Sequence, residues 1–252
     1  GKVNRSFPGP DETTEYTQSL VQGRYFLPLG SHNPLFGAGA QTDEIDVSIL
    51  TEVGEETNLF AFVQDEWDIS DRIKLIAGLR VDDFDAFGSQ VVPRLSIGSR
   101  GNGFTWRAGY GEAFRAPSVL EQYSRFTRGR FLITGSPDIE PEESKTWEAA
   151  IGWRGTKGNV ELVYHDTEIT NLIQAAPNGQ VSGGLLVFAY QNIQEADISG
   201  VELAGNYDLG GGFAIDASYE YLDATDGLTG ARLNGRARNT IKAALRWESG
   251  PW

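Results

Sequence analysis

The sequence predicts an all-β protein, part of an antiparallel transmembrane β-barrel, and three observations carry that expectation. Apolar residues recur with period two in one segment after another, the mark of strands with one apolar face. The connections between them alternate between short turns rich in Gly, Asn and Asp and much longer loops. The longest apolar run, LLVFAY at 185–190, is far short of the ~20 residues of a spanning helix, so a membrane crossing would be made by strands.

Taken in order, strands are expected near 16–27, 33–42 and 57–69, where both faces carry apolar residues and Phe60 and Phe62 share a face with Gln64 and Glu66. RIKLIAGLRV puts Ile73, Leu75, Ala77, Leu79 and Val81 on one side and Lys74 and Arg80 on the other. Another strand follows near 91–99, then FTWRAGY with Phe104, Trp106, Ala108 and Tyr110 on one face. KTWEAAIGWR aligns Trp147, Ala149, Ile151 and Trp153 against Thr146, Glu148 and Arg154, and a strand near 158–170 comes next. GVELAGNYDL, FAIDASYEYL and NTIKAALRWE complete about eleven strands.

The turns DISDR, GSRGNG, GTKGN and DLGGG are short, whereas the connections at 43–57, 114–143, 171–186 and 225–236 are long. All the long ones fall on the same side of the sheet. A transmembrane barrel has this asymmetry, with short periplasmic turns and long extracellular loops. Trp67, Trp153 and Trp247 stand beside short turns, where an interfacial girdle belongs, with Phe104, Trp106 and Phe213 close by. Any single strand would also suit a soluble β-sandwich with its apolar face inward. Taken together, the Lys, Arg and Glu along the strand middles favour a barrel with a polar interior.

The formal charge of −14, from 35 acidic and 21 basic residues, argues against a nucleic-acid partner held through phosphates. The chain contains no Cys and no Met, so a disulfide framework and thiolate metal sites are excluded, and only His32 and His165 offer imidazole. Its first residues, GKVNRSFPGP, carry no initiating Met and no signal-peptide pattern, and RWESGPW follows a strand and a turn. The expectation is an internal fragment at both ends, with residues 1–252 forming a single partial barrel domain.

Four runs in succession then become recognisable: FAFVQDEWDISDRIKLIAGLRVDDFD, GYGEAFRAPSVLEQY, GSPDIEPEESKTWEAAIGW and YQNIQEADISGVELAGNY. They resemble the barrel of TonB-dependent outer-membrane receptors. The most specific residues are Phe114, Arg115, Ala116, Pro117 and Ser118, then Pro137, Asp138, Pro141, Glu142 and Ser144, then Gly200, Val201 and Glu202. The resemblance implies a barrel of about 22 strands around a plug, in the outer membrane of a Gram-negative bacterium. It also implies import of a scarce nutrient such as a ferric siderophore or cobalamin, contact with outer-membrane lipid and lipopolysaccharide, and energy from the inner-membrane TonB complex delivered through a plug. Such a receptor performs no bond chemistry and requires no cofactor.

Within that frame the 114–143 connection is the longest outer loop. Arg115, Arg125, Arg128 and Arg130, with Tyr123, Phe126 and Phe131, would stand above the barrel mouth. Arginine's planar fork suits carboxylate or phosphate oxygens and aromatic rings supply flat contact area, so an anionic chelate with a conjugated body fits the 123–131 group. The same arginines also suit lipopolysaccharide phosphates or neighbouring acids, while Arg115 and Pro117 are expected to shape the exit from strand to loop. A second outer loop gathers Asp43, Glu44, Asp46, Glu52, Glu55 and Glu56. It reads as a solvated acidic loop, with Ca²⁺ held by Asp43, Glu44 and Asp46 as the alternative, since the spacing matches no EF-hand. The glycine runs at 37–40 and 209–213 open no helix and are not phosphate loops; strand crowding and a turn account for them.

Two other classes compete with a transporter. A passive porin or adhesin barrel shares the alternation but does not account for the three motifs in order. A barrel hydrolase would need a Ser near His165 and an orienting acid such as Asp166, yet the chain has no nucleophile motif.

Overall fold

The computed structural model describes residues 2–6, 15–47, 49–50, 54–101 and 103–248, with side chains from residue 15 onward. Its strands are β1 (Lys2–Ser6), β2 (Glu15–Phe26), β3 (Leu35–Asp46), β4 (Gly54–Asp68), β5 (Ile73–Phe84), β6 (Gly88–Arg100) and β7 (Phe104–Arg115). A short helix α1 (Val119–Tyr123) and two short strands, β8 (Arg125–Arg128) and β9 (Phe131–Thr134), precede β10 (Glu142–Arg154). Then come β11 (Gly158–Ser182), β12 (Leu185–Gly210), β13 (Phe213–Asp226) and β14 (Asn239–Trp247).

Apart from β8 and β9, the strands form one meander in chain order, each antiparallel to the next. The excess over about eleven expected strands comes from β1 and from the β8–β9 hairpin, which are too short to show a period of their own. Turns at the short end depend on backbone that only glycine adopts cheaply: Gly210, Gly211 and Gly212 all have positive φ, between +64° and +85°.

Among the described residues the strands form one single-layered sheet and no second sheet covers its apolar face, so the sandwich alternative fails. Ile241, Trp153 and Trp247 on that face are 77%, 56% and 61% exposed, as hydrocarbon-facing residues of a barrel would be. Tyr110 and Trp147, with rings 4.4 Å apart, mark the outer end of the band, and Phe213 and Trp247 lie together at the short-turn end. The opposite, concave face carries Arg94, Arg107, Glu148, Glu161 and their neighbours around a concavity of about 1310 Å³. Phe60 and Phe62 do face this concave side, and room is made for them on β3: a Cβ at Gly39 would lie 2.6 Å from the Phe60 ring, and one at Gly37 would overlap Phe62. The glycine run at 37–40 is strand crowding.

The connection expected at 171–186 is not a loop. β11 and β12 run through it as a hairpin of 25 and 26 residues, more than twice the ~9–11 a bilayer crossing needs. Pro177 and the polar stretch around it hide the strand in the sequence, because proline normally marks a strand's end. Here Pro177 pairs with Phe188 just before a register shift, and Gly183 and Gly184, both at positive φ, turn the tip. A second irregularity lies between Ile169 and Leu172, where Asn171 takes the left-handed region at φ 57°.

Buried apolar residues concentrate at the outer end. Leu132, Ile139, Ile173, Val187, Ala196 and Ala224 are each 8% exposed or less. Among the described residues the best-packed region is therefore where the outer loop folds onto the long hairpin.

Candidate functional site

The outer loop begins where β7 ends. Arg115, the last residue of β7, lies opposite Glu142 at the start of β10, so strand register alone brings the Phe-Arg-Ala-Pro-Ser and Pro-Asp-x-x-Pro-Glu-x-Ser motifs together. The Arg115 guanidinium donates to Glu142 at 2.8 and 2.6 Å and to Glu121 at 2.9 and 3.1 Å, using its fork on two carboxylates at once. Ser118 then caps α1. Its hydroxyl accepts from the Glu121 N–H at 3.3 Å and the Glu121 carboxylate accepts from the Ser118 N–H at 2.8 Å, a reciprocal capping box. Burial works against the charged form of Glu121, but Arg115 and the Ser118 donors outweigh it and hold its carboxyl below the usual range.

The root is packed as well as charged. Gln122, 2% exposed, donates to the Pro117 carbonyl at 3.2 Å. A Cβ on Gly135 would lie 2.6 Å from the Tyr123 nitrogen and closer still to the Gln122 carbonyl, so α1 and the returning strand meet backbone to backbone. Glu142 also accepts from the Ile173 N–H at 2.9 Å, and Asn192 bridges the Glu140 and Asn171 carbonyls at 2.8 Å each. These bonds tie the loop to the irregularity in β11. Pro137 and Asp138 are exposed, and Pro141 is buried.

Beyond the root, β8 and β9 form a hairpin that reaches the upper edge of β12, where β9 pairs parallel through Phe131–Thr134 against Leu186–Ala189. The register splits the residues singled out in the sequence. Phe126, Arg128, Phe131 and Ile133 share one face, and the Phe131 ring meets Phe188 edge to face at 4.9 Å. Arg125 lies on the other face with Leu132, and Tyr123 stays at the end of α1. Arg130 sits in the two-residue turn after Gly129, whose φ is +62°. Arg125, Arg128 and Arg130 are exposed and form no ion pair among the described residues.

The other sequence-level candidates resolve differently. Asp43, Glu44 and Asp46 lie on β3 rather than in a loop, so alternation directs Glu44 and Asp46 away from Asp43. The Asp43 carboxylate already accepts from Tyr16, Gln18 and Gln41 at 2.7–2.8 Å, and no group of three potential ligands able to hold a metal occurs among the described residues. Glu52 lies outside the described residues. His165 faces the concavity and Asp166 faces outward opposite Trp147, so this acid cannot orient that imidazole. The His165 ring instead packs over Gly200, whose Cβ would stand 2.6 Å from Nε2; the glycine of the Gly-Val-Glu motif makes room for it. Glu202 of the same motif faces the concavity beside Glu220, and Val201 points outward.

The family described as TonB dependent receptor-like, beta-barrel matches residues 4–252. Among solved structures, the chain is similar to the siderophore receptor PirA from Pseudomonas aeruginosa, with 22% identity and a TM-score of 0.80 over 94% of this chain and 46% of that one. It is also similar to a mutant of the ferric enterobactin receptor PfeA from Pseudomonas aeruginosa, with 20% identity, a TM-score of 0.83 and coverage of 94% and 40%. The copper transporter OprC matches at 18% identity and a TM-score of 0.73, with 95% of this chain and 44% of that one covered. The chain thus spans less than half the length of these proteins.

Proposed function

The chain belongs to the TonB-dependent receptor β-barrel family, and from that premise we propose that the protein imports a scarce nutrient across the Gram-negative outer membrane as an anionic metal chelate. TonB supplies the energy. The observation that carries the reading is the exposed face of the β8–β9 hairpin, where Arg128 forms no ion pair among the described residues and shares its face with Phe126 and with Phe131, whose ring meets Phe188. A free guanidinium beside aromatic edges recognises a flat anionic body such as a ferric catecholate. Bare copper suits this portion less well, because it contains neither Cys nor Met, the soft ligands that select Cu(I). The two aromatic bands on the outer face are the contact with membrane lipid and with lipopolysaccharide.

The test is equilibrium binding of ferric catecholate chelates by the full-length receptor. Arg128→Gln combined with Phe131→Ala should weaken binding about tenfold or more, the scale of one charge-assisted contact plus one aromatic contact. Unchanged binding in that double variant removes the hairpin from the ligand site.

A further inference from the structure

On the outer face of the sheet, the short-turn end of β4 carries a charged pair at a level where comparable strands are apolar. Trp67, Trp153 and Trp247 each stand near the end of a strand running toward the short turns, and two residues before them on the same face come Asp65, Ile151 and Leu245. Ile151 and Leu245 are 51% and 66% exposed, as hydrocarbon contacts of a barrel would be. Asp65 instead places a carboxylate about 7 Å along the strand from Trp67, deeper into the apolar band. Its neighbours on that face, Val63 along β4 and Ala77 across the ladder to β5, are apolar.

The turn from β2 to β3 supplies a partner for that carboxylate. Leu29 and His32 pair across a two-residue turn with Gly30 at φ +66°, and His32 continues the β3–β4 ladder to lie opposite Trp67. The His32 ring stacks on the Trp67 indole, centroids 5.1 Å apart at 17°, and its Nδ1 lies 2.6 Å from one Asp65 oxygen. The other Asp65 oxygen accepts from the Asn33 N–H at 3.0 Å. Lys74 is engaged by Glu66 and Asp68, so among the described residues Asp65 forms an ion pair with His32 alone. The two side chains are 45% and 33% exposed, which leaves both within reach of a ligand. Each carboxylate oxygen keeps a lone pair, and with Nδ1–H donating to Asp65 the neutral ring keeps Nε2 as an acceptor.

We propose that Asp65, His32 and Trp67 form a seat for the primary ammonium of a phospholipid head group in the periplasmic leaflet, the ammonium that phosphatidylethanolamine carries. The seat offers acceptors: the Asp65 carboxylate and His32 Nε2 take ammonium N–H bonds, and the Trp67 ring beside them favours a cation. An anionic head group without an ammonium meets the carboxylate and is repelled, and a quaternary ammonium has no N–H to donate. An ionisable side chain inside an apolar band is costly and marks a functional position. Here the ammonium neutralises Asp65 where water is scarce, while the lipid phosphate stays at the level of the Trp67 band. That this face meets lipid rests on the membrane reading above; the preference for a primary ammonium is the new element.

The experiment titrates the full-length receptor in detergent with phosphatidylethanolamine, phosphatidylglycerol and phosphatidylcholine of identical acyl chains, and counts bound lipid by native mass spectrometry. Wild-type protein should retain phosphatidylethanolamine at least about threefold better than either of the others, the scale of one partly exposed charge contact. Asp65→Asn, which keeps the shape and the Asn33 bond, should abolish the preference. His32→Phe, which keeps the stack on Trp67 but removes Nε2, should reduce it. Asp166→Asn, on the outer face opposite Trp147, should leave it as in wild type. Heat-modified gel mobility reports whether each barrel is folded. A wild type that does not distinguish the three head groups overturns the proposal, and so does a folded Asp65→Asn that keeps the full preference. Should Asp65→Asn fail to fold, an unchanged preference in His32→Phe overturns it as well. Binding of all three lipids without preference sinks this inference alone, whereas binding of none of them sinks the membrane-contact reading with it.

Discussion

Arg115 and Arg128 stand in the same outer segment, thirteen positions apart in the chain numbering, and their fates are opposite. Arg115 is 46% exposed yet is consumed by two carboxylates that are only 15% and 14% exposed. Arg128 is exposed on the same strand face as Phe126 and Phe131 and meets no acid among the described residues. The difference teaches that an arginine's role in this molecule depends on the acids brought to it. Where register delivers Glu142 and a capping box delivers Glu121, the guanidinium holds the loop to the strand; where neither arrives, its donors remain available to a ligand.

Substitutions at the root should act on local order, and those at the tip on binding. The largest effect is expected from Gly135→Ala, because the added Cβ meets backbone that cannot move without undocking α1. A cost of about 3 kcal/mol, the upper part of the overpacking range, should appear as rapid proteolytic nicking within 116–141. Nicking as slow as in wild type would show that α1 can shift without loss. Arg115→Gln comes next: it strands two partly buried carboxylates and should loosen the same segment by about 2 kcal/mol. Ferric chelate binding should then fall as a secondary effect of a disordered hairpin, and a variant that retains full protease resistance would break the contrast between root and tip.

The root also has a pH dependence whose sign follows from Glu121. Its carboxyl is held below the usual range in the folded protein, so the stabilisation is complete above the unfolded carboxylate value and is lost as pH falls through the lowered folded one. Pepsin should therefore cut the 116–141 segment faster as pH drops below the ordinary carboxylate range. A Glu121→Gln variant should show a weaker acceleration over the same interval. Asn192→Ala, which removes the bridge between the Glu140 and Asn171 carbonyls, should cost about 1 kcal/mol and raise exchange of nearby amides without touching the membrane-spanning strands. The smallest structural effect belongs to Arg128→Gln, expected within about 0.5 kcal/mol of wild type, with its consequence confined to chelate affinity.

Much of this was legible before the structure. RIKLIAGLRV, KTWEAAIGWR and NTIKAALRWE each show their outward face by alternation alone, since side chains of a strand must point to opposite sides. Arg115 and Pro117 were expected to shape the strand exit, and there Arg115 bonds to Glu142 and Glu121. Nothing local distinguishes Arg94, Arg100 or Arg154 on the inner strand face from Arg107, whose partners Glu148 and Glu161 come from other strands. The β11–β12 extension escaped because Pro177 and Asn178 read as a turn, whereas pairing to β12 and β9 outweighs that local preference.

By itself, the sequence determined which residues lie on the outer face of the sheet and which on the inner one, and it determined which ends of the hairpins are short; both follow from the two-residue period and from turn chemistry, which are local. Only the tertiary structure decided which arginines are paired among the described residues and that the outer loop crosses to the edge of β12. Those outcomes depend on partners tens of residues away, such as Glu142 for Arg115 and Leu186 for Phe131, and chain register in the folded sheet is what brings them into contact.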